Sequence, residues 1–141
     1  MAQAQSSPHN QKVRLITYTL PGGWQVLVGR TDVDNDSLSF RVARPEDWWF
    51  HVRGMPSSHV ILQGPPGAHP DRQTLQCAAA IAAYHSKARN AGVVPVSGTR
   101  ARDVSKPRGA KAGTVQIRNE RVFKVRPARG DLAGDPGNAS A

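Results

Sequence analysis

The residues Asp47, His51 and His59 are of types that could carry out chemistry together. If the stretch around the first two is an extended strand, alternate side chains share a face, and Trp49 and Arg53 join that row. Two imidazoles with a carboxylate can bind a metal, or serve as a base with an orienting acid beside a serine. Two histidines and one acid supply only three ligand positions, so a hydrogen-bonded pair that fixes the strand connection is the alternative.

Trp49 also has two interpretations. Its ring is a candidate for stacking on an unpaired base, an interaction worth roughly 1–3 kcal/mol. A tryptophan in a small domain is more often buried in the core, and the sequence leaves both interpretations open.

A second candidate site is the segment KPRGAKAG, residues 106–113. Its glycines allow a close approach of the backbone to phosphate, and Lys106, Arg108 and Lys111 supply positive charge. Arg100 and Arg102 precede it and raise the local charge density. The segment lacks the GxxxxGK-Ser/Thr pattern of a nucleotide-hydrolysing loop. A solvated basic loop without a ligand is the alternative.

The positive charge of the chain is concentrated in residues 87–129. The whole sequence has 19 basic and 10 acidic residues, a net charge of +9. The segment 87–129 holds twelve basic residues against Asp103 and Glu120, so it carries +10, and the remainder carries −1. A concentrated block of charge attracts a polyanion, which predicts a nucleic-acid or ribosome contact. We expect these cations to form one continuous surface.

Strand and helix patterns place these residues in an α+β fold, a mainly antiparallel sheet packed against one long helix. Asp71 is a good N-cap, and helix-forming residues continue to Arg89, where Lys87 and Arg89 complement the helix dipole. The alternation over 38–42 predicts a strand, and 114–117 with 122–125 predicts a hairpin. We expect residues 13–126 to fold, with a disordered N-terminus (1–12) and a disordered tail (127–141).

Composition excludes several classes of protein. No apolar run approaches the roughly 18 residues of a membrane span, and the first ten residues lack the apolar region of a secretory signal. Cys77 is the single cysteine, which excludes an internal disulfide framework and a cysteine-rich zinc module. These features predict a cytoplasmic protein that does not contact membranes.

Several motifs in order and spacing resemble a known family over roughly residues 22–127. The motifs are Gly29-Arg30, Asn35-Asp36, DWWFH (47–51), PSSHVIL (56–62), AAYHSKAR (82–89), VPV (94–96) and KPRGAKAG (106–113). Together they resemble the NFACT-R domain, the RNA-binding module of NFACT ribosome quality-control proteins. Thr31, Trp48 and Ser57 depart from the residues that the family prefers, and the last of these bears on the loop before His59.

The resemblance implies an RNA-binding, non-catalytic module that recognises structured RNA. Its targets would be tRNA or the rRNA of the large ribosomal subunit, without a cofactor or metal. We expect a stand-alone NFACT-R domain, with a partner protein able to supply the other NFACT domains. The residues predicted to contact RNA are Arg30, Trp49, His51, Arg53, His59, Lys87, Arg89, Arg100, Arg102, Lys106, Arg108 and Lys111.

Two alternatives come from other classes of protein. The first is a metal-dependent hydrolase or nuclease that uses Asp47, His51 and His59. The second is an adhesion or protein-binding module, which the absence of an export signal disfavours.

Overall fold

The computed structural model describes residues 15–129, and within them six strands form one antiparallel sheet. The six strands are β1 (Leu15–Leu20), β2 (Trp24–Gly29), β3 (Trp48–Val52), β4 (Val60–Gln63), β5 (Val94–Arg100) and β8 (Arg121–Val125). Their order across the sheet is β1-β2-β4-β3-β5-β8. Two short strands, β6 (Val104–Ser105) and β7 (Gln116–Ile117), pair separately. The predicted α+β class and antiparallel sheet are confirmed.

The helix α2 (Arg72–Tyr84) covers one face of the sheet. Asp71 caps its N-terminus by accepting the Thr74 N–H at 2.8 Å, as the sequence predicted. It ends one turn before the predicted Arg89, where the Ser86 hydroxyl donates to the Ala83 carbonyl at 2.6 Å. The side chain thereby offers the chain an alternative to further helical hydrogen bonds.

The two faces of the sheet bury separate clusters. On the helix face, the alanines of α2 approach side chains such as Phe50, Val52 and Val96, which are fully buried. On the opposite face, which we call the loop face, Leu27, Trp49 and Ile61 pack with residues from outside the sheet. Trp48, Phe50 and Val52, the alternate residues of β3, all belong to the helix-face core.

The strand predicted over 38–42 is wrong. This segment is a π-helical turn (Leu38–Val42) that continues the helix α1 (Asp32–Ser37) without a break. Leu38 and Val42 are four residues apart, so a helical turn brings both against the loop-face cluster just as a strand would. The Thr31 hydroxyl starts the helix by accepting the Asp34 N–H at 3.0 Å.

The hairpin predicted from 114–117 and 122–125 is also wrong. Gln116–Ile117 pairs with Val104–Ser105, whereas Arg121–Val125 pairs with β5 and forms an edge of the sheet. Asn119 between them has a φ of 57°, and the Thr99 hydroxyl donates to the Arg118 carbonyl at 2.6 Å. The chain is therefore held to β5 at the point where the hairpin turn was expected.

The predicted termini, 1–12 and most of 127–141, lie outside the described residues. Among residues 15–129, the structure contains no helix with the length and apolar character to cross a bilayer.

Candidate nucleic-acid interface

His59 lies at the centre of the loop face and is only 1% exposed. It comes directly before β4, and the register of β3 with β4 places His51 beside it, with the two ring centroids 5.5 Å apart. The His59 backbone N–H donates to Asn35 Oδ1 at 3.0 Å. Asn35 occupies the space where a side chain on Gly29 would lie, which explains why a glycine ends β2.

Both ring nitrogens of His59 have partners, and those partners determine the tautomer. Trp49 Nε1–H donates to Ser39 Oγ at 3.0 Å, and Ser39 Oγ lies 2.8 Å from His59 Nδ1. His59 Nε2 lies 3.2 Å from the Gly113 carbonyl oxygen, which only accepts. Nε2 therefore carries the proton, and Ser39 donates its hydroxyl to Nδ1. With a neutral imidazole, every side-chain polar atom of this Trp49–Ser39–His59 hydrogen-bond series has a partner.

Burial and this network keep both histidines uncharged at neutral pH. Desolvation, followed by the neighbouring His51, lowers the pKa of His59 to about 4. Desolvation also lowers the pKa of His51, although a backbone contact at Val52 opposes the shift. Neither ring therefore adds to the positive charge of the surface near pH 7.

The segment 106–113, which we call the cationic loop, is fixed at both ends to Asp36 of helix α1. Asp36 accepts the Gly113 N–H at 2.8 Å and forms an ion pair with Lys106. The Gly113 carbonyl accepts from His59, as described above. Within the described part of the chain, Arg108 and Lys111 are exposed and have no ion pair. The loop thus presents one guanidinium and one ammonium group, neither of them in an ion pair, on an anchored backbone.

Between the cationic loop and the sheet lies a cleft of about 350 Å³, which we call the polar cleft. Its lining includes His51, Arg53 and Ser97 from the sheet. Arg53 Nε lies 3.2 Å from a Glu120 carboxylate oxygen, and the Ser97 hydroxyl donates to the same carboxylate. The cleft therefore combines a neutral imidazole with a guanidinium, and the Glu120 carboxylate is held beside it by two of its lining residues.

Trp49 is 2% exposed, with its N–H used by Ser39 and its ring parallel to His51 at 5.8 Å. The buried interpretation of this residue is confirmed. The structure gives no support to base stacking on Trp49, because its ring is almost fully buried. His51, the next residue in this row, lines the polar cleft.

Asp47 does not join the two histidines. Its carboxylate accepts from the Arg44 backbone and side chain and from Gln63 Nε2 at 2.8 Å. Asp47 lies four positions before His51, which is roughly 13 Å along an extended chain. Among residues 15–129 no group of three or more histidine, cysteine or carboxylate side chains is arranged to hold a metal ion. The geometry does not assemble the site that the hydrolase alternative requires.

The cations of 87–129 are divided between regions, so the prediction of one continuous surface is wrong. Arg100 and Arg102 both reach Glu46 near the start of β3, at the end of the strand away from His51. Arg121 lies over Trp48 and Phe123, which belong to the helix-face core. Strand alternation separated these side chains, and pairing with carboxylates used part of their charge.

Three further predicted contact residues, Arg30, Lys87 and Arg89, also lie outside the lining of the polar cleft. Arg30 is exposed and follows β2 directly, at the same end of the sheet as His59. Lys87 is exposed in the turn after α2. Arg89 lies 4.3 Å from the Tyr84 ring centroid and donates to the Tyr84 carbonyl, so it also terminates the helix.

Neither Ser39, nor Asp36 as the loop anchor, nor Glu120 was predicted from the sequence. A signal for the first two was present in the polar run 32–39, which contains three aspartates, an asparagine and two serines. The strand predicted over 38–42 concealed the role of Ser39. Glu120 gave no local signal, because its role depends on the pairing of β8 with β5.

An antiparallel sheet that holds a cationic loop beside a polar cleft defines a basic nucleic-acid-binding module. The chain belongs to the family of the NFACT protein RNA-binding domain, whose family model matches residues 12–119. The resemblance stated from the motifs is confirmed.

The chain is also similar to individual proteins of this kind. It is 40% identical over 125 residues to the Rqc2 homolog RqcH of Bacillus subtilis (strain 168), covering 89% of this chain and 21% of that protein. It is 36% identical over 102 residues to the Rqc2 homolog RqcH of Streptococcus suis (strain 05ZYH33), covering 72% of this chain and 18% of that protein. The chain thus spans about a fifth of the length of these relatives.

A solved structure shares the fold. It is described as the C-terminal part of the fibronectin/fibrinogen-binding protein from Streptococcus suis, and it superposes with a TM-score of 0.76 at 34% sequence identity. The match covers 82% of this chain and 46% of that one.

Proposed function

We propose that this domain binds structured RNA, either tRNA or the rRNA of the large ribosomal subunit, within ribosome-associated quality control. Membership of the NFACT RNA-binding family and similarity to Rqc2 homologs support this assignment. The domain acts as a cytoplasmic binding module over residues 13–126, and the separation of Asp47 from His51 and His59 favours binding over hydrolysis.

The observation that carries the proposal is the anchored cationic loop. Arg108 and Lys111 have no carboxylate partner among the described residues, while Asp36 and His59 hold the backbone that presents them. A guanidinium forms paired hydrogen bonds to phosphate oxygens, and a lysine adds a compact charge. Because the loop is already ordered, binding loses less conformational entropy than it would with a flexible basic segment.

Other cations extend the contact from the loop along one end of the sheet. Arg30 and Arg53 follow the ends of β2 and β3, on the His59 side. Lys87 and Arg89 extend the contact from the turn after α2. Arg100 and Arg102 take a lesser part, since Glu46 already pairs with both. This arrangement reads the shape and phosphates of the RNA more than its base sequence.

Removing charge from the loop tests the proposal. The double variant R108Q/K111Q should weaken binding to tRNA and to a duplex RNA by similar factors, roughly tenfold or more, because phosphate contacts are independent of sequence. The control R72Q/K124Q also removes one arginine and one lysine, from two exposed positions that line a different groove. Filter binding or fluorescence anisotropy measures both. Equal losses in the two variants would contradict a specific role for the loop.

A further inference from the structure

The polar cleft has the size and lining of a site for one small planar group. Its volume of about 350 Å³ lies at the lower end of the range for small-ligand sites. Val115 and Ile117 supply apolar walls, while His51, Arg53 and Ser97 supply polar groups. A flat ring with hydrogen-bonding edges matches this mixture better than a phosphate alone, which needs no apolar wall.

His51 lines this cleft, and its ring lies parallel to that of Trp49, with the ring planes 5° apart. Arg53 is the next residue in the same row of the strand, and alternate residues of a strand are about 6.6–6.8 Å apart. That spacing is twice the roughly 3.4 Å separation of stacked bases. A base inserted between the imidazole and the guanidinium would therefore continue the stack that Trp49 begins.

The ion pair between Arg53 and Glu120 can open at little cost. The Arg53 side chain is 51% exposed, and exposed ion pairs contribute only about 0–1 kcal/mol. Glu120 stays in place through the hydroxyl of Ser97. Its carboxylate can then accept N–H groups from the edge of a base, while Arg53 lies flat on the ring.

We propose that the polar cleft binds a single unpaired RNA base, stacked between His51 and Arg53 with its edge directed to Glu120. The inference rests on the RNA binding proposed above and adds a ligand class to it: a nucleotide displaced from pairing, as in a loop or bulge. A base within a duplex is covered on both faces and cannot enter. The phosphates flanking the displaced base then lie beside the cationic loop.

The test compares a hairpin RNA that carries 2-aminopurine in its loop with a blunt duplex of the same length. The unmodified protein should bind the hairpin more tightly, and the emission of 2-aminopurine should fall as the base stacks. H51A should lose at least about fivefold of the preference for the hairpin, since one stacking ring contributes that much or more. H51F keeps a flat ring and should retain the preference.

Two controls separate binding from folding. H69A removes an exposed imidazole elsewhere and should leave the preference unchanged. R53A alters a half-exposed side chain, so it folds even if H51A does not, and it should also reduce the preference. Circular dichroism verifies the fold of each variant.

The outcomes distinguish this inference from the function on which it rests. Equal binding of hairpin and duplex, with unchanged 2-aminopurine emission, overturns the base site and leaves RNA binding intact. A full preference in folded H51A or R53A overturns it as well. Failure to bind either RNA overturns both the base site and the proposed function.

Discussion

His59 connects the sheet to the cationic loop through atoms that each have one role. Nδ1 accepts from Ser39, Nε2 donates to the Gly113 carbonyl, and the backbone N–H donates to Asn35. The position therefore requires a neutral, correctly oriented imidazole. In this protein the histidine positions a binding loop, which is the structural alternative that the sequence left beside metal binding and catalysis.

Ser39 should be important for stability although it does not itself line the polar cleft. In S39A, Trp49 Nε1 loses its acceptor and His59 Nδ1 loses its donor, and both atoms are buried. Leaving a buried polar group unsatisfied costs about 1–3 kcal/mol, so we expect the free energy of unfolding to fall by at least that amount. Urea denaturation measures the change. S105A, at an exposed position, should stay within about 0.5 kcal/mol of the unmodified protein.

The protonation of His59 predicts a dependence of stability on pH. Its pKa is about 4 in the folded protein and 6.5 as an ordinary histidine, so between these values the unfolded chain binds a proton that the folded protein does not. Stability is therefore full above pH 6.5 and decreases as the pH falls to about 4, by roughly 3 kcal/mol from this residue. The lowered pKa values of His51 and His85 act in the same direction.

The variant H59Q identifies the contribution of this residue. Glutamine keeps an N–H for the Gly113 carbonyl and an oxygen for Ser39, and it does not titrate. Denaturation between pH 7 and pH 4.5 should give a flatter curve for H59Q than for the unmodified protein. Parallel curves would show that His59 does not titrate as described.

The chemistry-bearing residues were visible in the sequence, but their partners were not. The row of Trp49, His51 and Arg53 followed directly from strand alternation, and the structure bears it out. The burial of Trp49 depended on Ser39, which lies in a helical turn that the sequence analysis assigned to a strand. The local sequence pattern therefore predicted which side chains share a face of the strand, whereas tertiary packing determined which of them stayed accessible.

At the scale of elements, helix α1 and the π-helical turn act as a support for the cationic loop. Asp36 binds both ends of the loop, and Asn35 and Ser39 hold His59 against it. The start of α2 was predicted correctly, because an N-cap is a local signal. Prediction failed for 38–42 and for the hairpin, since burial at Leu38 and the partner of Arg121–Val125 depend on distant strands.

Because Asp36 anchors the loop, its removal should change the RNA affinity in the direction opposite to that expected from net charge alone. D36A removes a negative charge beside Lys106 and would strengthen RNA binding if only net charge mattered. It also releases the Gly113 N–H, so we expect the loop to lose order and the affinity for RNA to fall severalfold.

The matched variant for D36A is E46A. It frees Arg100 and Arg102 without touching the cationic loop, so its affinity should be unchanged or slightly higher. Anisotropy titrations of both variants with the same RNA provide the comparison. An increase in affinity for D36A would show that the anchoring of the loop has no part in binding.

At the scale of the whole molecule, the fold places only some of the cations where they can contact RNA. A net charge of +9 favours approach to any polyanion, and it could be read from composition alone. The fold determines which cations can contact phosphate. The Arg121 side chain of β8 lies on the helix face, and Glu46 pairs with Arg100 and Arg102. The binding surface is therefore smaller than the basic segment of the sequence suggested.

The salt dependence of RNA affinity tests the central claim most directly, namely that the anchored loop binds phosphates. With about five cations engaged, log affinity should fall with log salt at a slope of roughly −4 to −5. In R108Q/K111Q the slope should become shallower by about 2, one for each lost phosphate contact, whereas R72Q/K124Q should keep the original slope. A flat response in the unmodified protein, or the same slope in R108Q/K111Q, would contradict the account.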